Sequence, residues 1–154
     1  PNWLPLTFRP QGGAWLVLGD QAVLDYRQTL DLRAGVLLRT LRVEDAEGRR
    51  TRWEERRLVS MAAPQLAALE VTLTPENWSG RVEVRSGIDG GVVNAGVRRY
   101  RELEGRHLEM LAAERSGEDA LFLRSRTLAS RIECAQVVRT RLFAADGAPL
   151  SPER

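Results

Sequence analysis

Leu37-Leu38-Arg39-Thr40-Leu41-Arg42-Val43, followed by Asp45-Ala46-Glu47-Gly48 and then by Thr51-Arg52-Trp53-Glu54-Glu55-Arg56-Arg57-Leu58-Val59-Ser60-Met61, decides the fold class. Leu37, Leu41 and Val43 share one parity, with Arg39 as an exception, and Thr51, Trp53, Val59 and Met61 share one in the second segment. Side chains of a strand alternate between its two faces, so this period of two predicts strands that bury one side and wet the other. The intervening Asp-Ala-Glu-Gly predicts a hairpin turn.

The same alternation extends outward. Ala67, Leu69, Val71 and Leu73 are followed by the turn Thr74-Pro75-Glu76-Asn77-Trp78-Ser79-Gly80, and Val82, Val84 and Ile88 are closed by Asp89-Gly90-Gly91. These four segments read as a meander. Upstream, Trp3 to Phe8, Ala14 to Leu18 and Val23 to Leu32 read as strands; downstream, His107 to Ala113, Ala120 to Thr127 and Ile132 to Leu142 do, with an extended or disordered tail from Ala148. Nine or ten strands without an intervening helix-period segment predict an all-β, sandwich-type single domain. Val59, Leu69, Val71, Val82, Val84 and Val138 are its expected core. The stretch from Asn94 to His107 departs from strand alternation and is left open between helix and loop.

Composition limits the chemistry. The 154 residues suit one domain that needs no staple. All 23 basic residues are Arg, against 21 Asp and Glu, for a net charge of +2. Without Lys there is no P-loop lysine, kinase strand lysine or Schiff base. The lone Cys134 and lone His107 cannot supply a disulfide, a thiolate zinc site or a His-Glu-x-x-His motif. The run Arg49, Arg50, Arg52, Arg56, Arg57 includes Glu54 and Glu55 and reads as a solvated hairpin of mixed charge, so no nucleic-acid partner is expected. No apolar run reaches membrane-spanning length, and no membrane partner is expected. A single thiol and the absence of a leader favour a cytoplasmic setting. The start Pro1-Asn2-Trp3 suggests a piece of a longer polypeptide.

Glycosidic bonds are cleaved by paired carboxylates, one acting as acid and the other as base or nucleophile. Glu54/Glu55 and Glu102/Glu104 are the candidate pairs. The first points to opposite faces of a strand and the second lies beside Arg101 and Arg106, so both are expected to be solvated, ionised surface groups. His107 has no Gly-x-Ser-x-Gly elbow to serve. Gly87-Ile88-Asp89-Gly90-Gly91 reads as a turn, lacking the spacing of a phosphate cradle. Of the aromatics, which stack on sugar rings, Trp78 in its turn is the candidate for exposure.

Several stretches, taken in order, resemble the N-terminal domain of glycoside hydrolase family 65: Pro1-Asn2-Trp3-Leu4-Pro5-Leu6; Leu24-Asp25-Tyr26-Arg27 with Leu30-Asp31-Leu32-Arg33-Ala34-Gly35-Val36-Leu37; Arg57-Leu58-Val59-Ser60-Met61; Thr74 to Gly80; Asn94-Ala95-Gly96-Val97-Arg98-Arg99-Tyr100; and Arg106-His107-Leu108-Glu109. The resemblance implies a β super-sandwich similar to the galactose mutarotase fold, with further strands before Pro1. It places the catalytic acid and the phosphate-binding residues in a separate (α/α)6 barrel, so no catalytic, cofactor or metal residue is carried onto this chain. The implied role is accessory, in an enzyme that cleaves an α-linked disaccharide with inorganic phosphate or water. Its expected partners are the barrel of the same polypeptide and a second subunit, with Asn94, Arg99, Tyr100 and His107 as interface residues. The alternatives are a free-standing carbohydrate-binding module using an exposed Trp, and an enzyme in its own right.

Overall fold

The computed structural model describes residues 1–94, 102 and 105–151. Regular structure among them is all strand: β1 (Leu6–Pro10), β2 (Ala22–Asp31), β3 (Val36–Glu44), β4 (Arg50–Val59), β5 (Ala67–Pro75), β6 (Val82–Ser86), β7 (Leu108–Ser116), β8 (Ala120–Thr127), β9 (Glu133–Arg139), β10 (Leu142–Phe143) and β11 (Pro149–Leu150). The all-β expectation is met. Among the described residues no helix is long and apolar enough to cross a membrane. The chain forms two compact units, Thr7–Val84, and Pro1–Leu6 with Arg85–Arg154.

In the first unit, β2, β3, β4 and β5 form an antiparallel meander. It begins one strand earlier than the sequence suggests. The segment starting at Val82 is not its fourth strand, because β6 pairs with β1 instead. Alternation fixes which face a residue takes but carries no information about the neighbouring strand. Ala14 to Leu18 is not a strand either: it is tied to β1 by Leu16 N–H donating to the Phe8 carbonyl at 2.9 Å and by Thr7 Oγ1 donating to the Leu16 carbonyl at 2.7 Å. The β3–β4 turn forms as expected, with Gly48 at φ 75° and its N–H on the Asp45 carbonyl at 3.0 Å. A left-handed residue is needed there, which glycine adopts without steric cost.

The meander has one apolar face. Leu41, Val43, Thr51 and Trp53 of that face are buried, together with Phe8 of β1. Phe8 stacks on Trp53 with ring centroids 5.8 Å apart and planes inclined 27°, an arrangement that adds to simple area burial. Farther along the same face cover is lost. Val59 is exposed, Leu69 and Val71 are half-buried, and Met61 beyond the strand is 96% exposed. Val82 and Val84 of β6 are also exposed, and Val138 is half-buried in the other unit. The expected six-residue core is therefore not the core of this chain; the alternation is real for the β4 and β5 residues, but a face is buried only where something lies on it.

In the second unit, β7, β8 and β9 form an antiparallel sheet, with a bulge between Met110 and Ala112. Leu123 is its buried apolar centre. Gly90 packs against it so closely that a Cβ would come within 2.7 Å of Met110 Sδ and 3.2 Å of Leu123 Cδ2. The glycine-rich turn thus serves close packing. The tail is ordered as far as Leu150, because β11 pairs with β10.

Candidate functional site

The seven-residue turn from Thr74 to Gly80 is a latch on the β3–β4 hairpin. Trp78 Nε1 donates to the Arg50 carbonyl at 3.0 Å and to Thr51 Oγ1 at 3.1 Å. Asn77 Oδ1 accepts the Arg50 N–H at 2.6 Å, and its Nδ2 donates to the Gly48 carbonyl at 2.9 Å. Trp78 is half-buried, and none of the four Trp side chains is exposed. Trp53 is in the core, and Trp15 lies under the Arg9 guanidinium at 4.6 Å. The candidate for exposure, Trp78, is therefore only partly exposed, with its indole N–H engaged by the Arg50 carbonyl and Thr51 Oγ1.

The carboxylates separate into two groups. Glu54 faces the polar side of the meander and pairs with Arg52 at 2.9 Å, one of four such pairs on that side with Arg42–Glu76 at 2.7 Å, Arg50–Glu44 at 2.6 Å and Arg56–Glu70 at 3.3 Å. Here the solvated mixed-charge reading holds. Glu55 contradicts it. Its side chain is only 2% exposed, on the apolar face, between the guanidinium groups of Arg39 and Arg57, and Trp53 Nε1 donates to its Oε2 at 3.1 Å. Arg39 stands opposite Glu55 in the β3–β4 ladder, and Arg57 follows two residues along the same face. The carboxylate thus has two guanidinium groups and an indole N–H as its partners. The alternation does contain a signal: Arg39 is the one charged exception on its parity, and its cross-strand partner is the opposite charge.

Of the expected interface residues, Asn94 and His107 are exposed. Their flanking segments are held together by a Val93–Arg106 bridge and by Asn94 N–H donating to the Gly105 carbonyl at 2.9 Å. The His107 carbonyl accepts the Leu128 N–H at 2.9 Å. Arg99 and Tyr100 lie outside the described residues, as does Glu104, while Glu102 is exposed. Among the described residues no group of three His, Cys, Asp or Glu is placed to hold a metal ion.

Four carboxylates among the described residues have clearly displaced pKa values, all downward. Glu76 is held down by hydrogen bonds from Arg42, Glu109 by Arg126, and Asp119 by Arg139 with help from Arg141. At Asp45 burial pushes upward, but hydrogen bonds from the Arg49 side chain and from the Arg49 and Glu47 N–H groups outweigh it. A general acid requires the reverse displacement.

Residues 1–154 match the family model for the N-terminal domain of glycosyl hydrolase family 65. An uncharacterized glycosyl hydrolase of Mycobacterium tuberculosis is 46% identical over 143 residues, 93% of this chain and 11% of that protein. Kojibiose phosphorylase of Thermoanaerobacter brockii is 28% identical over 142 residues, 92% of this chain and 18% of that protein. The α,α-trehalose phosphorylase of the same organism is 33% identical over 72 residues, 47% of this chain and 9% of that enzyme. The chain thus spans less than a fifth of the length of these relatives. With the turn chemistry of the matching stretches and the all-β architecture in place, the chain belongs to glycosyl hydrolase family 65, as the N-terminal domain of that family.

Proposed function

We propose that these residues are a non-catalytic accessory domain of a family 65 enzyme that splits the α-glucosidic bond of a disaccharide, by phosphorolysis or hydrolysis. In this reading the domain belongs to a super-sandwich of galactose-mutarotase type, packs on an (α/α)6 barrel of the same polypeptide and shapes the rim of its active site. The parent works in the cytoplasm, takes inorganic phosphate or water as its second substrate, and is a homodimer. Family membership over the full 154 residues carries the proposal. The named activities of the kojibiose and trehalose phosphorylases among its relatives support the substrate class.

The carboxylates support the accessory role. Asp45, Glu76, Glu109 and Asp119 are displaced toward ionisation, and Glu55 is enclosed by two Arg. The test incubates the purified chain with kojibiose, trehalose and maltose, with and without phosphate, beside the parent polypeptide. Glucose and glucose 1-phosphate are expected from the parent alone. Release by the isolated chain that survives repurification and is lost in Glu102→Gln or Glu104→Gln would overturn the reading.

A further inference from the structure

The two faces of the β2–β5 meander balance their charges differently. On the polar face four Arg meet four Glu. On the apolar face Arg39 and Arg57 share one carboxylate among the described residues, that of Glu55, which leaves one positive charge over. Among the described residues, Arg39 and Arg57 each also keep a buried Nε–H without an acceptor. Buried donors are nearly always satisfied, so two orphans side by side mark an incomplete arrangement. The Arg39 and Arg57 side chains remain 22% and 23% exposed, which leaves a path from above the sheet.

Around this triad the face is apolar and uncovered. Tyr26 and Leu30 of β2 and Val59 of β4 are 51%, 57% and 56% exposed, and Leu37, Leu69 and Val71 are half-buried. The ladder places all six on the triad's face: Tyr26 opposite Leu41, Leu30 opposite Leu37, Arg57 opposite both Leu37 and Leu69, Glu55 opposite Val71. Contiguous exposed apolar surface with a polar centre marks an interaction site.

We propose that this bare half of the face, centred on Arg39, Glu55 and Arg57, docks a segment of the same polypeptide lying outside these residues, an apolar segment that brings one carboxylate. The inference rests on the accessory reading and adds the surface that does the packing. The surplus positive charge and the orphaned donors call for an anionic acceptor, because a guanidinium is satisfied by a carboxylate in a planar, charge-assisted contact. A covering segment has a source, since the matched stretch is under a fifth of the length of each relative.

The test is thiol accessibility in a Cys134→Ser background, with Val59→Cys on the bare face and Glu70→Cys on the polar face as control. Each is labelled with a maleimide in the 154-residue chain and in the parent polypeptide. The Val59→Cys thiol is expected to react freely in the chain and at least tenfold more slowly in the parent, while the Glu70→Cys thiol reacts alike in both. Adding the triple change Arg39→Met, Glu55→Leu, Arg57→Met in the parent, which leaves no buried charge unpaired on this face, is expected to restore labelling of Val59→Cys several-fold, with far-ultraviolet circular dichroism unchanged; undiminished protection would overturn the carboxylate contact. Equal rates for Val59→Cys in chain and parent overturn the proposal, as does protection in the isolated chain that rises with its concentration, which would assign the face to a second copy. If the thiol of Val59→Cys is free in the parent but that of Asn94→Cys is protected, the accessory reading stands with a different surface. If both are free, the accessory packing fails as well.

Discussion

Two ends of one sheet face, made by the same strands with the same alternation, have opposite characters. At the end where β1 lies over the meander, Phe8, Leu41, Val43 and Trp53 are 1–5% exposed. At the other, Tyr26, Leu30 and Val59 are more than half exposed, around a buried Glu55 flanked by two partly exposed Arg. Alternation therefore records which face is meant to be dry, whereas burial records what covers it. A residue such as Val59 has the sequence pattern of a core position and, in this chain, the environment of a surface one.

The sharpest way to break that contrast is to remove side chains from both ends. Trp53→Ala is expected to cost about 3–5 kcal/mol and Leu41→Ala about 2–5 kcal/mol, because each leaves a cavity under packed neighbours. Leu30→Ala and Val59→Ala should stay within about 0.5–1 kcal/mol. Urea unfolding of the four variants measures this, and similar losses at both ends would show the contrast to be false.

Next in size is the triad. Glu55→Gln leaves two guanidinium groups facing each other without their counter-charge and should cost about 2–4 kcal/mol. The triple change Arg39→Met, Glu55→Leu, Arg57→Met should be near neutral or stabilising, since it removes the desolvation cost together with the attraction. Urea midpoints of the single and triple variants decide between these outcomes. A smaller effect is expected at the latch: Trp78→Phe keeps an aromatic ring but loses the donor to Arg50 and Thr51, for about 1 kcal/mol in the same assay.

The mildest expectation concerns pH. Asp45, Glu76, Glu109 and Asp119 all have folded pKa values depressed below the unfolded ones. Their contribution is fully present above the unfolded values near pH 4 and is lost as pH falls through the depressed folded values. Thermal unfolding between pH 6 and pH 2 should show a steady decline beginning near pH 4, and Asp45→Asn should flatten it; a stability maximum below pH 4 would contradict the assignment.

The strands are legible in the sequence because alternation and turn residues are local. Asp45-Ala46-Glu47-Gly48 and Arg115-Ser116-Gly117-Glu118-Asp119 both close hairpins between neighbouring strands. Strand neighbours are not legible. Val82 to Ser86 continues the pattern of β5 but pairs with β1, at the far end of the unit's sequence, and nothing local to either announces the other. The triad is half legible, since Arg39 stands out as an exception while Glu55 reads as one member of a solvated pair. Only the ladder, which puts Arg39 opposite Glu55, turns two anomalies into one feature. In the stretch Thr74 to Gly80, one of those that mark the family, Asn77 and Trp78 are occupied in holding the β3–β4 hairpin.

The polar face of the meander has a consequence for heat. Glu76 feels Arg50 and Arg52 besides its partner Arg42, so the pairs there act as a network. Near room temperature such exposed pairs contribute little. Warming lowers the cost of stripping water from ions while the apolar contribution per unit area levels off, so the network's relative weight grows. The wet side of the sheet, marginal in a cool solution, is the side that gains in relative weight as the protein is heated.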